Sequence, residues 1–406
     1  QYPYPLDERR FLVTLALPTP EGKLGRFNIY LIDIHGRREL LVEGAESGDG
    51  IGCKQIIPLA ARERPHVRPS LADYRKATGT VYLQDIHEGP GLRGIPRGTV
   101  RRLRVVAVRY QAASFGRLAQ SGKGGSSNVL TPIAIGHGSW DVKDVLGSVE
   151  IHTDGSAFFE VPARTPIYFQ ALDANGYVVQ TMRSWTTLMP GENQSCVGCH
   201  EPGSAAPPAG RRMVMALKDG PRRLTPFYGP PRGFSFATEV QPILDRHCVR
   251  CHTGRKDKPF SLSGEAVEVD KTKRRFSKAY LALTHTRGSG GDWDHPVVNW
   301  IDSMSEPSML PPYHRGAATS KLMRMLEKAH NDVKLSREEM DKIACWIDLL
   351  VPYCGDFRES HAWSGEELDR YNRFLSKRKA MEDLEQAGIG AWINRPQRRA
   401  PAPRGD

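Results

Sequence analysis

Two stretches decide how this chain is read: "SCVGCHEP", Ser195–Pro202, and "RHCVRCHTG", Arg246–Gly254. Both contain Cys-x-x-Cys-His, once as Cys196, Cys199 and His200 and once as Cys248, Cys251 and His252. Two thiols three positions apart lie on one face of a helical turn. They can each form a thioether with one of the two adjacent vinyl groups of a haem, and the histidine that follows then reaches the iron as its proximal ligand. At this cysteine and histidine content a chance match is expected ~0.004 times, and two occur. A zinc ribbon spaces its Cys-x-x-Cys pairs by about 15–20 residues, whereas 48 residues separate these. Zinc also gives no reason for a histidine at the same offset twice. A thioredoxin-like pair would follow a strand in a βαβ unit. The expectation is therefore two covalently attached haems c. Attachment of that kind places the protein in the periplasm or another extracytoplasmic compartment.

The remaining composition is that of a globular protein. The chain has 406 residues, 39% of them hydrophobic, and a net charge of +11. No run of 18 apolar residues occurs, so no membrane span is expected. No nucleic-acid fold signature accompanies the basic segments. A basic surface suits docking to an acidic redox partner. Seven cysteines in a chain of this length do not make a disulfide scaffold. Cys345 and Cys354 could pair or remain separate buried thiols, and Cys53 reads as a buried structural cysteine. Gln1 opens directly onto strand-like sequence with no signal peptide, as in a mature or truncated chain.

Along the chain, strand signals give way to helix signals. Residues 1–70 hold alternating apolar stretches such as "FNIYLIDIHG". Residues 71–225 continue mostly β, with hairpin turns at Asp154-Gly155 and Asn175-Gly176 and a Gly/Ser-rich loop, "SGKGGSSN". This region carries the first motif. In residues 226–360, Val240, Ile243, Leu244 and His247 share one helix face leading into the second motif. "SREEMDKIACWIDLLV" opens with a capping box at Ser336 and Glu339. Residues 361–406 read as a charged helix with a disordered basic tail. The fold class is α+β: a mostly β N-terminal and middle region, then an α-helical domain.

The sixth iron ligands decide function, because an iron closed on both sides shuttles electrons and an open one can bind a small molecule. For the second haem the candidates are His330, His314 and Met309, with His285 and His295 behind them. The helix into "RHCVRCH" and the helix "LSREEMDKIACWID" resemble the crossing helices of cytochrome c domains. In similar single-haem domains the distal ligand lies just before the last helix, the place His330 occupies, with His314 as the alternative. For the first haem the nearby groups are Met189, Met182 and Trp185, with His137 and His87 able to fold back.

Three segments together, "DGSAFFEVPARTPIYFQALDANGYVVQTMRSWTTLMPGENQSCVGCHEP", "FSFATEVQPILDRHCVRCH" and "HNDVKLSREEMDKIACWIDLLVPYCGDF", resemble the C-terminal portion of hydrazine synthase alpha-subunit-like proteins. The resemblance covers residues ~70–360. It implies a propeller remnant over 1–70, a β-sandwich-like middle domain with one c-haem, and a cytochrome c domain with a bis-histidine c-haem. A multi-subunit assembly is a separate expectation, from the reading in which the β region docks the cytochrome onto a larger complex. In that family a tyrosine four residues after the first motif's histidine contacts the iron; here that position is Ser204. The family's zinc ligands come from the propeller side, and only Cys53 could be a remnant of them. The expected function is electron transfer by a dihaem cytochrome. The alternative is a redox enzyme for small nitrogen or oxygen substrates, with the first haem reactive and the second a relay.

Overall fold

The computed structural model describes residues 2–44, 53, 55–61, 70–112, 142–199, 214–255, 258–268, 275–284, 297–301, 309–359 and 363–395. His200, Ser204, His137, His285, His295, the "SGKGGSSN" loop and the basic tail beyond 395 lie outside them. The chain divides into two compact units, 1–70 and 71–406.

The first unit is an antiparallel meander of β1 (Tyr4–Pro5), β2 (Arg10–Pro18), β3 (Leu24–Asp33) and β4 (Arg38–Val42), paired in sequence order. Among the described residues it forms no closed barrel.

The second unit is layered around one sheet of order β10-β9-β6-β7. Its strands are β6 (Arg102–Val108), β7 (Lys143–Glu150), β9 (Ile167–Leu172) and β10 (Val178–Thr181). The run "LRVVAV", apolar but for Arg104, which donates to Gln170 Oε1 (3.0 Å), forms the core of β6 and is buried on both faces. A strand covered on both sides needs such a run rather than alternation. Leu103, Val105 and Ala107 point into one core, and Val106 and Val108 into another. The first core is closed by a second sheet, β11-β5-β8, built from β5 (Thr78–Leu83), β8 (Ala157–Pro162) and β11 (Asn193–Cys196). The second core is closed by helices: α2 (Gln241–His247), α3 (Lys278–Thr284), α4 (Lys321–Glu327) and α5 (Arg337–Asp348). A short α1 (Met215–Asp219) precedes them, and the 29-residue α6 (Gly365–Ile393) follows. The β and helical regions thus share the central sheet.

The junction is polar and fully enclosed. The ammonium of Lys143, 0% exposed, donates to the Leu349 carbonyl at the end of α5 (2.7 Å). Gln170 Nε2 donates to the Asp348 carbonyl (2.7 Å). The Asp348 carboxylate accepts from Val178 N (3.0 Å) and Ala317 N (2.8 Å). A cation at a helix C-terminus meets the negative end of the helix dipole, and the last carbonyls of a helix need outside donors.

Burial, only partly offset by the nearby Arg104, pushes the Asp348 carboxyl up to about 6. A free aspartate titrates near about 3.9. Folding therefore favours the protonated form, a stabilisation complete below about pH 4 and lost as pH rises through about 6. Asp348→Asn carries no such dependence. In urea unfolding, the stability advantage of the wild type over Asp348→Asn should shrink by about 1–3 kcal/mol between pH 4 and pH 7. A constant difference would contradict a buried, titrating carboxyl at the junction.

Candidate functional site

The two Cys-x-x-Cys-His motifs sit on different backbones. At the second, Cys248 is the C-cap of α2. The turn continues as Cys251 N and His252 N both donate to the Cys248 carbonyl (3.1 Å each). Here the helical-turn reasoning from spacing holds. At the first motif it does not: Cys196 ends strand β11, and residues 197–199 form a bend and turn rather than a helix. The run "NQSC" pairs in parallel with β5, Cys196 opposite Leu83. That pairing fixes the approach to the motif before any helical geometry can form.

Around the second motif the helices are held by charge. Val240, Ile243 and Leu244 are buried as their spacing predicts, but the stretch Phe236–Val240 is a π-helical turn that feeds α2. The buried Glu239 on that turn pairs with Arg232 (2.6 Å) and Lys342 of α5 (3.3 Å). Glu339, in the capping box that Ser336 completes, takes Arg246 (2.7 Å) and His247 (3.0 Å) from α2. Burial acts to raise the Glu339 pKa, but hydrogen bonds from the Ser336 backbone and His247 outweigh it and bring the carboxyl down to about 2.

The structure brings His252 and His330 together. Their ring centres are 6.2 Å apart and their planes 21° apart. Phe260 meets the His252 ring edge-on at 5.5 Å. Imidazole nitrogens bind metals at about 2 Å, which puts the centres of two opposed rings about 6 Å apart. The residues present thus fit an iron held between them. Asn331 Nδ2 lies 3.1 Å from His330 Nε2, a contact that metal binding at that nitrogen would replace. His330 sits in an unusual turn: Ala329, Asn331 and Asp332 all have positive φ (52°, 49° and 62°). His314 lies elsewhere. Its neighbour Tyr313 donates from its backbone to Val179 of β10 and packs against the same apolar cluster as Cys196 and Cys199.

The first motif is wrapped by the residues that follow β5. Gln84 N donates to the Cys196 carbonyl (2.9 Å), Asp85 N to Val197 (3.1 Å) and Gly91 N to Cys199 (3.3 Å). Gly198 presses on Glu88 so closely that a Cβ would collide with the Glu88 carbonyl. Within this collar lies His87, half-buried. Burial first, and then the Arg97 guanidinium, hold its pKa below the usual histidine range. Gln180 Nε2 ties the collar to the helical region by donating to both Gly91 O (2.9 Å) and Leu310 O (2.8 Å). The sequence marks neither the collar nor Gln180, because long-range backbone pairing leaves no local pattern.

None of the seven cysteines is in a disulfide. Cys345 and Cys354 are buried in separate clusters, and burial pushes the Cys345 thiol up to about 12. Cys53 is half-buried. Among the described residues no group of three His, Cys, Asp or Glu side chains forms a metal cluster, and no helix is long and apolar enough to cross a membrane.

Comparison with known proteins places this geometry. The family described as Hydrazine synthase alpha subunit middle domain matches residues 98–201, which span β6 to β11 and the first motif. Hydrazine synthase subunit alpha of Kuenenia stuttgartiensis is 23% identical over 323 residues, covering 63% of this chain and 39% of that protein. The solved Kuenenia stuttgartiensis Hydrazine Synthase has a similar fold, with a TM-score of 0.57 and 18% identity. That likeness covers 88% of this chain and 55% of the solved one. The chain is thus similar to hydrazine synthase alpha subunits, and spans well under two thirds of the length of either relative.

Two substitutions test this geometry. Gly198→Ala has no room for its methyl group and should shift Cys199. It should cost about 2 kcal/mol or more, read as a lowered thermal midpoint; an unchanged midpoint contradicts the close packing on Glu88. Glu339 contributes stability above the unfolded glutamate value, near about 4.3, and loses it as pH falls through about 2. Glu339→Gln should therefore unfold more easily than the wild type above pH 5, with the difference vanishing towards pH 2 in an acid titration followed by circular dichroism.

Proposed function

We propose that this protein is an extracytoplasmic redox protein of hydrazine synthase alpha type, with one covalent haem c at each Cys-x-x-Cys-His motif. In this reading the first haem is the reactive one and the second relays electrons. The observation that carries it is the facing pair His252 and His330, 6.2 Å apart, beside a first motif that is held differently, by a loop collar, in a chain similar to a hydrazine synthase subunit. Cys248 and Cys251 would anchor the second haem, and His252 and His330 would hold its iron. Cys196, Cys199 and His200 would hold the first.

Bound haem supplies one-electron chemistry at its iron and, where a position is open or displaceable, a place for a small molecule. The residues do the rest. The Arg246–Glu339 and Lys342–Glu239 pairs fix α2 against α5, so that His252 keeps its place opposite His330. The collar and its apolar floor exclude water from one side of Cys196 and Cys199.

A plain electron carrier is the second reading. The similarity to a hydrazine synthase subunit favours the enzyme-like one, and points to small nitrogen compounds as the substrate class. The +11 charge supports an acidic redox partner. The relative's designation as a subunit supports a larger assembly.

Carbon monoxide added to the reduced protein tests the choice. One haem should take it and one should not, and the Cys196→Ser/Cys199→Ser variant should lose the responsive haem. Two unresponsive haems would restore the electron-carrier reading.

A further inference from the structure

We propose that His87 is the displaceable sixth ligand at the first motif. The inference rests on the reading that Cys196 and Cys199 hold a haem.

The argument starts from strand register. β5 and β11 run parallel, with Cys196 opposite Leu83. Past the strand ends the two segments stay together. Asp85 N donates to Val197 O, Gly198 lies against Glu88, and Gly91 N donates to Cys199 O. His87 is enclosed by these three attachments, so its backbone is tied to the motif on both sides.

The turn that carries His87 is rigid. His87 N donates to Asp85 Oδ1 (3.0 Å) and Glu88 N to Asp85 O (3.0 Å). The Asp85 carboxylate, 1% exposed, is gripped by both terminal nitrogens of Arg97 (2.6 and 3.3 Å). Gly155 packs on the same carboxylate with no room for a Cβ. A carboxylate buried this deeply and doubly paired holds its surroundings in one arrangement. No element of secondary structure fixes the imidazole itself, which stands on a loop.

Four of the other described histidines of the 71–406 unit are engaged elsewhere. His152 neighbours Asp219 (3.7 Å), His247 bonds Glu339, and His252 faces His330. His314 follows Tyr313, whose hydroxyl is bonded to Asp173 (3.0 Å). It serves as the control.

A side chain on a loop can leave an iron at small structural cost. This would make the first haem closed at rest and open to substrate on demand, which is how one chain could hold a relay and a reactive centre of the same chemical type.

The test uses the full chain and electron paramagnetic resonance of the oxidised protein, with haem content measured in parallel. The wild type should show two low-spin haems. His87→Gly should convert one to high spin and speed carbon monoxide binding about tenfold or more after reduction, since a competing ligand no longer occupies the site. Added imidazole should restore the low-spin signal. His330→Ala should remove the other signal, and His314→Ala neither. An unchanged spin state in His87→Gly with full haem content overturns the assignment of His87 and leaves the two-haem reading intact. So does loss of a low-spin signal in His314→Ala instead. A wild type without haem at the first motif overturns both.

Discussion

The end of α5 is the point on which this molecule is assembled. A buried lysine of β7 and a buried glutamine of β9 close on its last turn, and the turn's own buried Asp348 accepts from the backbone of Val178 and Ala317. Burying an ammonium is costly unless donors and acceptors are matched. Here the helix's own unsatisfied carbonyls supply the acceptors, at 2.7 Å from Lys143 and from Gln170. Removing either partner would leave a buried polar group unpaired, which is why such networks hold one arrangement rather than many. The consequence for function is rigidity. The central sheet is tied to the helix that packs beside Cys248, and its other face shares a core with the β11-β5-β8 sheet that leads to Cys196.

Within that unit the same five-residue pattern is used in two ways. After α2 it continues a helical turn, and a second histidine faces it from the loop before α5. After β11 it bends out of a parallel strand and is bound by the chain that follows β5. The difference comes from the preceding backbone, not from the motif. A helix end presents its next residues in a turn by default, whereas a strand end must be turned by contacts from outside. The first motif therefore depends on its collar, and the collar brings a histidine of its own.

Much of this was legible in the residues. The two motifs, the capping box at Ser336 and Glu339, and the apolar face of Val240, Ile243 and Leu244 all carry local periodicity or spacing. What was not legible is long-range. The parallel pairing of β5 with β11 joins segments more than a hundred residues apart. It replaces the helical turn that spacing alone suggests for Cys196 and Cys199. The buried junction of Lys143, Gln170 and Asp348 likewise appears in sequence only as a lysine in a strand, a glutamine in an apolar run and an aspartate at a helix end. The placement of His314 on the middle-sheet side was also hidden, because nothing in "LPPYHRG" states which core its tyrosine joins.

The most direct test of the account is the intact mass of the protein made in a host that matures c-type cytochromes. The account predicts the mass of the chain plus two haems, and peptide mapping should place one on Cys196 and Cys199 and one on Cys248 and Cys251. An unmodified chain, or thiols at either pair that remain open to alkylation, would contradict it.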